Sequence, residues 1–191
     1  MFYDWWMIRQ AVPGDTQEAV PLIRQAIGDI AFILTGTTDD QETTSILTRF
    51  FGQDGNRLSY QNALILEEDG ELLGLAILYD GAQARELDAP LESAAAKKAG
   101  DANYCIPTEA EASEFYLDTL SVSPLCQGKG FGGKLIEAVC QRARQLGHSR
   151  VALLVELDNV AAKRLYQRMG FSADYTKWIA GQEYFHMVRT L

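Results

Sequence analysis

This chain has few of the residues that bind metals or form disulfides, and it has no long apolar run of the kind that spans a membrane. Its 191 residues include three cysteines and two histidines, which are Cys105, Cys126, Cys140, His148 and His186. The cysteines form neither a metal-ligand spacing nor an even disulfide set, so we expect reduced thiols and no metal site. No apolar run approaches the roughly 20 residues that a membrane-spanning helix needs, and we expect no membrane partner.

The first residues do not predict a targeting signal. Residues 1–6 have neither the basic region nor the long apolar stretch of a signal peptide, so we expect a cytoplasmic protein. The chain is 47% hydrophobic, which is ample for a packed core. Its length is typical of one domain, here residues 1–191.

Positive charge is scarce overall and concentrated in one segment. The net charge of −9 argues against a nucleic-acid partner. Residues 1–126 carry 7 basic and 21 acidic side chains, whereas residues 127–170 carry 8 basic and 3 acidic ones. This distribution favours a polyanionic ligand near residues 127–170 and a cationic one elsewhere. The alternative is that the basic residues simply occupy exposed helix faces.

Glycine is concentrated where those basic residues begin. The segment 122–135 reads VSPLCQGKGFGGKL and lies between a strand-like run and an amphipathic run. Its glycines free consecutive backbone N–H groups, and the following helix presents more, which makes a cradle suited to a pyrophosphate. Two alternatives remain for the loop alone. Gly128-x-Gly130-x-x-Gly133 fits a dinucleotide fingerprint, although Pro124 separates it from the strand, and the loop could be an ordinary helix-capping turn.

Two motifs together resemble the GNAT superfamily of N-acetyltransferases. Gln127-x-x-Gly130-x-Gly132 matches the family's acetyl-CoA loop, and NVAAKRLYQRMGF at 159–171 matches its Asn-x-x-Ala-x-x-Leu-Tyr-x-x-x-Gly-Phe segment. The resemblance covers about residues 115–171. It implies an α/β (α+β) fold with a mixed twisted sheet flanked by helices, and acyl-CoA bound in a splay between the fourth and fifth strands.

Hydrophobic periodicity and turn residues predict an element order that agrees with this fold. Helices are expected at about 15–28, 131–146 and 159–170, with a further helix that follows residues 39–42 and ends near 52. Strands are expected at 7–11, 60–66, 72–78, 115–122, 151–155, 175–179 and 184–188. Gly74 predicts a bulge or close packing within its strand. Residues 81–113 predict an insertion with one or two helical turns near 92–98, either a surface loop or an element that shapes the substrate site.

The resemblance also implies which residues hold the cofactor. Main-chain groups at the end of the fourth strand would pair with the pantetheine arm, and the loop amides would hold the pyrophosphate. The residues expected to bind acetyl-CoA are Leu120, Val122, Gln127, Gly128, Lys129, Gly130, Phe131, Gly132, Gly133, Lys134, Asn159 and Tyr166. For Asn159 a helix cap is an additional role.

Three residues are candidates for proton transfer. Tyr166 falls on the family's tyrosine, which commonly donates to the departing thiolate; packing on the apolar helix face is the alternative. Asp118 is the first candidate base, directly or through water, and Glu114 is the second. Their alternatives are a structural hydrogen-bonding group and a solvated charge, respectively, and many family members use no dedicated base. No cysteine has a histidine near it in sequence, which gives an acyl-enzyme route no support.

The expected function is acetyl-CoA-dependent N-acetylation of a primary amine on a small cationic molecule or a peptide. A different class of function is a non-catalytic acyl-CoA-binding sensor or scaffold, and a third is transfer of a longer acyl group. The sequence leaves open the identity of the amine and the presence of a homodimer.

Overall fold

The structure is a computed structural model that describes residues 6–191. The residues before Trp6, most of the stretch used in the signal-peptide argument, lie outside the described part. The helices are α1 Thr16–Ile27, α2 Ile30–Thr35, α3 Asp40–Phe51, α4 Ala84–Ala99, α5 Phe131–Gln145 and α6 Val160–Arg168. The strands are β1 Trp6–Gln10, β2 Ala63–Glu68, β3 Glu71–Asp80, β4 Phe115–Val122, β5 Arg150–Glu156, β6 Ser172–Ile179 and β7 Gln182–Thr190.

One mixed seven-stranded sheet organises the molecule, in the order β1-β2-β3-β4-β5-β7-β6. Neighbouring strands run antiparallel except β4 and β5, which are parallel. β4 and β5 pair at Phe115↔Val151 and Tyr116↔Ala152 and then separate. The sheet is therefore splayed between its fourth and fifth strands, and the predicted fold class is confirmed.

Helices cover both faces of the sheet, as the alternation along β3 requires. Leu75 and Ile77 point into a core formed with α1 and α3, whereas Ala76 and Leu78 point into a core formed with α5. A strand buried on both faces reads as a continuous apolar run, because neither set of alternate side chains meets water. Within residues 6–191, no helix has both the length and the apolar character needed to cross a membrane.

The insertion is more ordered than the sequence predicted. α4 extends for 16 residues and continues through Pro90, so the expectation of one or two turns near 92–98 was too short. Its buried face consists of Ala84, Asp88, Leu91 and Ala95 at helical spacing. Small and polar residues at these positions hide the stripe from a search for large apolar side chains. The six-residue α2 was also not predicted.

Gly74 lies where β3 approaches β4 closely. A Cβ atom at this position would lie 2.8 Å from the carbonyl oxygen of Ser121. The pairing of β2 with β3 also shifts register between Leu66 and Glu67, beside Gly74. The predicted bulge and close packing are both confirmed.

Candidate active site

The glycine loop connects β4 to α5 and shapes the first part of the site. Gly128 and Gly130 have φ angles of +79° and +84°, which glycine adopts without a steric penalty. A Cβ atom at either position would meet no protein atom within 4 Å. Backbone conformation, not crowding by the protein, thus requires these two glycines. α5 begins at Phe131, so its unbonded first amides lie at the loop.

The next two glycines serve helix packing instead. A Cβ atom at Gly132 would lie 3.2 Å from Leu165 Cδ2, and one at Gly133 would lie 3.3 Å from Met169 Sδ. Both contacts are tighter than ordinary van der Waals packing. Because Gly132 and Gly133 have no side chains, α5 can lie close to α6, which carries the second sequence motif.

A cleft of about 430 Å³ lies between the loop, the end of β4 and α6. Among its lining residues are most of those expected to bind the cofactor, namely Leu120, Val122, Gln127, Gly128, Gly130, Phe131, Gly132, Gly133 and Tyr166. Arg168 also lines the cleft and was not singled out, although it is a basic residue inside the second motif. Backbone donors, one guanidinium and an apolar wall fit a phosphate-bearing chain with an apolar arm.

Three other residues expected at the cofactor lie outside this cleft. The Nζ atom of Lys134 lies 3.5 Å from the centre of the Trp6 ring, and both residues line a different cavity. Lys129 Nζ lies 3.9 Å from Cys126 Sγ. Asn159 is the N-cap of α6, where its Oδ1 accepts a hydrogen bond of 3.1 Å from the Ala162 amide. The structure shows the cap; the cofactor contacts of these residues stay predictions.

A second cavity, of about 240 Å³, adjoins the cleft. Leu120, Ala162 and Tyr166 line both spaces, and Asn159 lines the second one. Tyr166 therefore stands at the junction of two compartments. Burial raises the pKa of Tyr166 to about 12, so its hydroxyl is protonated and able to donate at physiological pH.

A buried arginine dominates the wall of the second cavity. Arg57 is 1% exposed and contacts three carboxylates from separate parts of the chain. Its Nη1 lies 3.3 Å from Asp88 Oδ1, and its Nη2 lies 2.8 Å from Glu109 Oε1 and 2.5 Å from Asp118 Oδ2. The hydroxyl of Tyr116 donates to Glu109 Oε2 at 3.0 Å. Of these carboxylates, Glu109 and Asp118 line the cavity.

Acidic side chains outnumber basic ones in this cluster. Burial alone would lower the pKa of Arg57, but the charges of Asp118 and Glu109 outweigh it and raise that pKa. Burial raises the pKa of Asp88 to about 6, against the opposing effect of Arg57. Three acidic side chains thus surround one guanidinium. A buried excess of negative charge favours a cation in the adjoining space.

The two predicted base candidates occupy different environments. Asp118 Oδ2 accepts hydrogen bonds from Arg57 and from the Tyr79 hydroxyl at 3.1 Å, and Oδ1 accepts one from Thr119 at 3.0 Å. Glu114 is 1% exposed and lies 3.2 Å from His186 Nε2, and it lines neither the cleft nor the second cavity. The structure brings Asp118, but not Glu114, into the same cavity as Tyr166.

Sequence reasoning missed Arg57 and Glu109. Arg57 lies 31, 52 and 61 residues from its three carboxylate partners, so no local pattern links them. One signal was available: Asp118 sits on a buried strand, and a buried carboxylate requires a partner.

Comparisons with solved structures agree with this geometry. One crystal structure, described as an acetyltransferase, is 31% identical with a TM-score of 0.77, and the match covers 96% of this chain and 98% of that one. An N-acetyltransferase from Staphylococcus aureus Mu50 is 23% identical with a TM-score of 0.80, over 95% and 99% of the two chains.

Curated relatives match over shorter segments. Mycothiol acetyltransferase from Mycobacterium ulcerans (strain Agy99) is 48% identical over an alignment of 60 residues, and the match covers 28% of this chain and 19% of that protein. The 5-NmdU N-acetyltransferase of Pseudomonas phage PaMx11 is 36% identical over 69 residues, which are 36% of this chain and 47% of that protein. The chain thus spans less than half the length of these relatives.

A family model extends the similarity over most of the chain. The model described as the acetyltransferase (GNAT) family matches residues 33–171, from α2 to the end of the second motif. This range contains the glycine loop, the splayed strands and Tyr166. The chain therefore belongs to the acetyltransferase (GNAT) family, whose members use acyl-CoA.

Proposed function

We propose that this chain transfers an acetyl group from acetyl-CoA directly to a primary amine of a small cationic molecule or a peptide. The observation that carries the proposal is the position of Tyr166, which lines both the cleft at the glycine loop and the second cavity, where the Arg57 cluster lies. Donor and acceptor bound in these two spaces would meet at its hydroxyl, and such proximity supplies much of the rate of an acyl transfer.

The cleft supports acetyl-CoA as the donor, which supplies a thioester-activated acyl group. The loop amides and the N-terminus of α5 favour its pyrophosphate, and Arg168 adds positive charge. Beyond Tyr116, the edge of β4 that faces the splay has no pairing with β5 and is free to pair with the pantetheine arm. An acyl chain longer than acetyl would extend into the 240 Å³ cavity and compete with the amine for space.

The second cavity supports a cationic acceptor. Arg57 neutralises one of the three carboxylates around it, and Glu156 adds a further carboxylate to the lining. Tyr116 and Tyr184 supply aromatic surface in the same lining, where the negative face of a ring also attracts a cation. An ammonium group therefore gains attraction that a neutral or anionic molecule does not.

Proton transfers must balance around the new amide bond. The ammonium first loses one proton to water, while hydrogen bonds from Arg57, Tyr79 and Thr119 hold the Asp118 carboxylate in the cavity wall. The free amine attacks the thioester carbonyl carbon, a C–N bond forms and the C–S bond breaks. The sulfur takes the proton of the Tyr166 hydroxyl, and the nitrogen returns its second proton to Tyr166 through water. Asp118 then serves to orient Arg57.

An acetyl-CoA turnover screen with free-thiol detection tests this proposal. The panel contains matched pairs of cationic and neutral primary amines, together with peptides that carry a free amine. We expect thiol release that depends on a cationic amine, with the acetylated amine identified by mass. Binding of CoA without turnover on any amine would instead indicate a sensor, and faster turnover with longer acyl-CoA would overturn the acetyl assignment.

A further inference from the structure

The segment 109–114 leads into β4 and places Glu109 in the lining of the second cavity, which is called the acceptor cavity from here on because the proposed amine binds there. The carboxylate of Glu109 accepts hydrogen bonds from Arg57 at 2.8 Å and from Tyr116 at 3.0 Å. Because Glu109 lies in a segment without helix or strand structure, its placement depends on what holds that segment.

The β6–β7 hairpin holds this segment at three points. His186 on β7 lies 3.2 Å from the Glu114 carboxylate through its Nε2 atom. The hydroxyl of Tyr175 on β6 donates to Glu111, and Lys177 Nζ donates to the Glu109 carbonyl oxygen at 2.8 Å. The ring of Tyr175 stacks on that of His186, with 4.3 Å between ring centres. The hairpin therefore contacts the start, middle and end of the segment.

The Glu114–His186 pair is buried and lines neither the cleft nor the second cavity. Each residue is 1% exposed. Burial alone would raise the pKa of Glu114, but the His186 hydrogen bond and the charges of His186 and Arg150 outweigh it and lower that pKa. The other ring nitrogen, Nδ1, has no hydrogen-bond partner within residues 6–191; Asp174 Oδ2 is 3.8 Å away. A costly buried polar pair outside the cavity calls for an explanation.

We propose that the Glu114–His186 pair positions the acceptor site, by anchoring the 109–114 segment so that the Glu109 carboxylate stays in the cavity. His186 and Glu114 are then positioning residues that act on amine binding through Glu109. This inference rests on the proposed function, since it assumes that the cavity accepts the amine.

Kinetics of two His186 variants test the proposal. His186→Leu removes the donor to Glu114, whereas His186→Gln keeps a side-chain N–H. We expect His186→Leu to raise the KM for the amine about tenfold, as loss of a buried hydrogen bond that holds the segment predicts. The KM for acetyl-CoA and kcat should stay within about twofold of wild type, and His186→Gln should recover most of the amine KM.

A double-mutant cycle then identifies the route of the effect. In the Glu109→Gln background, His186→Leu should raise the amine KM little further, because the carboxylate that it positions is already gone. Fully additive effects, or equal changes in both Michaelis constants, would overturn the proposal and indicate a general structural role.

Hydrogen exchange separates this inference from the proposed function, since it needs no substrate. Amides of residues 109–114 should exchange faster in His186→Leu and close to wild type in His186→Gln, with α5 unchanged in both. Unchanged exchange at 109–114 would overturn the inference even if amines are acetylated. If His186→Leu does not fold, Tyr175→Phe, at a partly exposed residue, replaces it in this experiment. We then expect a smaller acceleration of exchange at the same amides. The absence of any acceleration would contradict the proposal.

Discussion

Among single residues, Tyr166 joins the two compartments of the site. Its hydroxyl is the group that the proposed reaction uses as an acid. Tyr166→Phe keeps the ring that packs near Phe171, 6.0 Å between ring centres, and removes this donor. We expect kcat to fall ~10²-fold or more, while CoA binding and the melting temperature stay near wild type. Wild-type turnover in this variant would remove Tyr166 from the mechanism.

The raised pKa of Tyr166 predicts the alkaline limb of the pH profile. An acid is active while protonated, so its contribution is lost as pH rises through its pKa. An unperturbed tyrosine titrates near 10, whereas burial raises the pKa of Tyr166 to about 12. We therefore expect kcat to show no tyrosine-dependent fall up to about pH 10. A decline centred near pH 10 that is absent in Tyr166→Phe would contradict this assignment.

Gly130 provides a second test at the residue scale. Gly130→Asp would place a carboxylate where the pyrophosphate is expected, and its φ of +84° adds strain of about 1 kcal/mol. Gly147→Asp is a matched control, because the φ of Gly147 is +85° and a Cβ atom there also meets nothing within 4 Å. We expect both variants to lose similar stability and Gly130→Asp alone to lose CoA affinity by calorimetry. Equal CoA binding in the two variants would refute the loop assignment.

Among the elements, those with local signals were predictable and those held by distant contacts were not. β4 was expected at 115–122 and is observed there, because Pro124 and the glycines mark its end. α6 follows from its Asn159 cap and from Gly170, with a φ of +87°. α4 escaped prediction because its buried stripe is made of small and polar residues. The Arg57 cluster escaped because its members meet only in the folded chain.

The segment that carries Glu109 makes a prediction about selectivity. Glu109→Gln removes one negative charge from the acceptor cavity and leaves the glycine-loop cleft untouched. We expect the KM for a cationic amine to rise about tenfold, as for loss of a buried charged contact, with the acetyl-CoA KM unchanged. Glu86→Gln, on the exposed face of α4, is the control. Equal effects of the two variants would show that Glu109 does not contact the amine.

Asp88 on α4 predicts how stability depends on pH. Its folded-state pKa is raised from 3.8 to about 6. The contribution of Asp88 to the free energy of unfolding is therefore greatest below pH 3.8 and is lost as pH rises through 6. The shift corresponds to on the order of 3 kcal/mol. Melting curves of wild type and Asp88→Asn should therefore shift in favour of the variant between pH 4 and 7.5. A difference that does not change with pH would contradict the raised pKa.

For the whole molecule, the uneven charge distribution predicts a salt dependence. Residues 1–126 are strongly acidic and supply Glu109 and Asp118, whereas residues 127–170 are basic and supply the loop and Arg168. Raising the ionic strength from about 0.01 to 0.5 M should raise the KM of both substrates severalfold. Acetyl-pantetheine, which lacks the phosphates, is the control donor. An equal salt effect on its KM would mean that the phosphates are not the groups recognised.

The parting of β4 and β5 after two residue pairs also affects motion. The sheet consists of two blades, β1–β4 and β5–β7, joined along one short edge. Spreading the blades at their open end breaks no strand pairing within either one, so its cost is small compared with unfolding. We expect a long donor to enter and leave by this route, at the cost of contacts in the α5 core, which contains residues of both blades such as Leu117 on β4 and Val155 on β5. The rate of blade opening then sets an upper limit on turnover, and solvent viscosity should slow kcat once chemistry is faster than release.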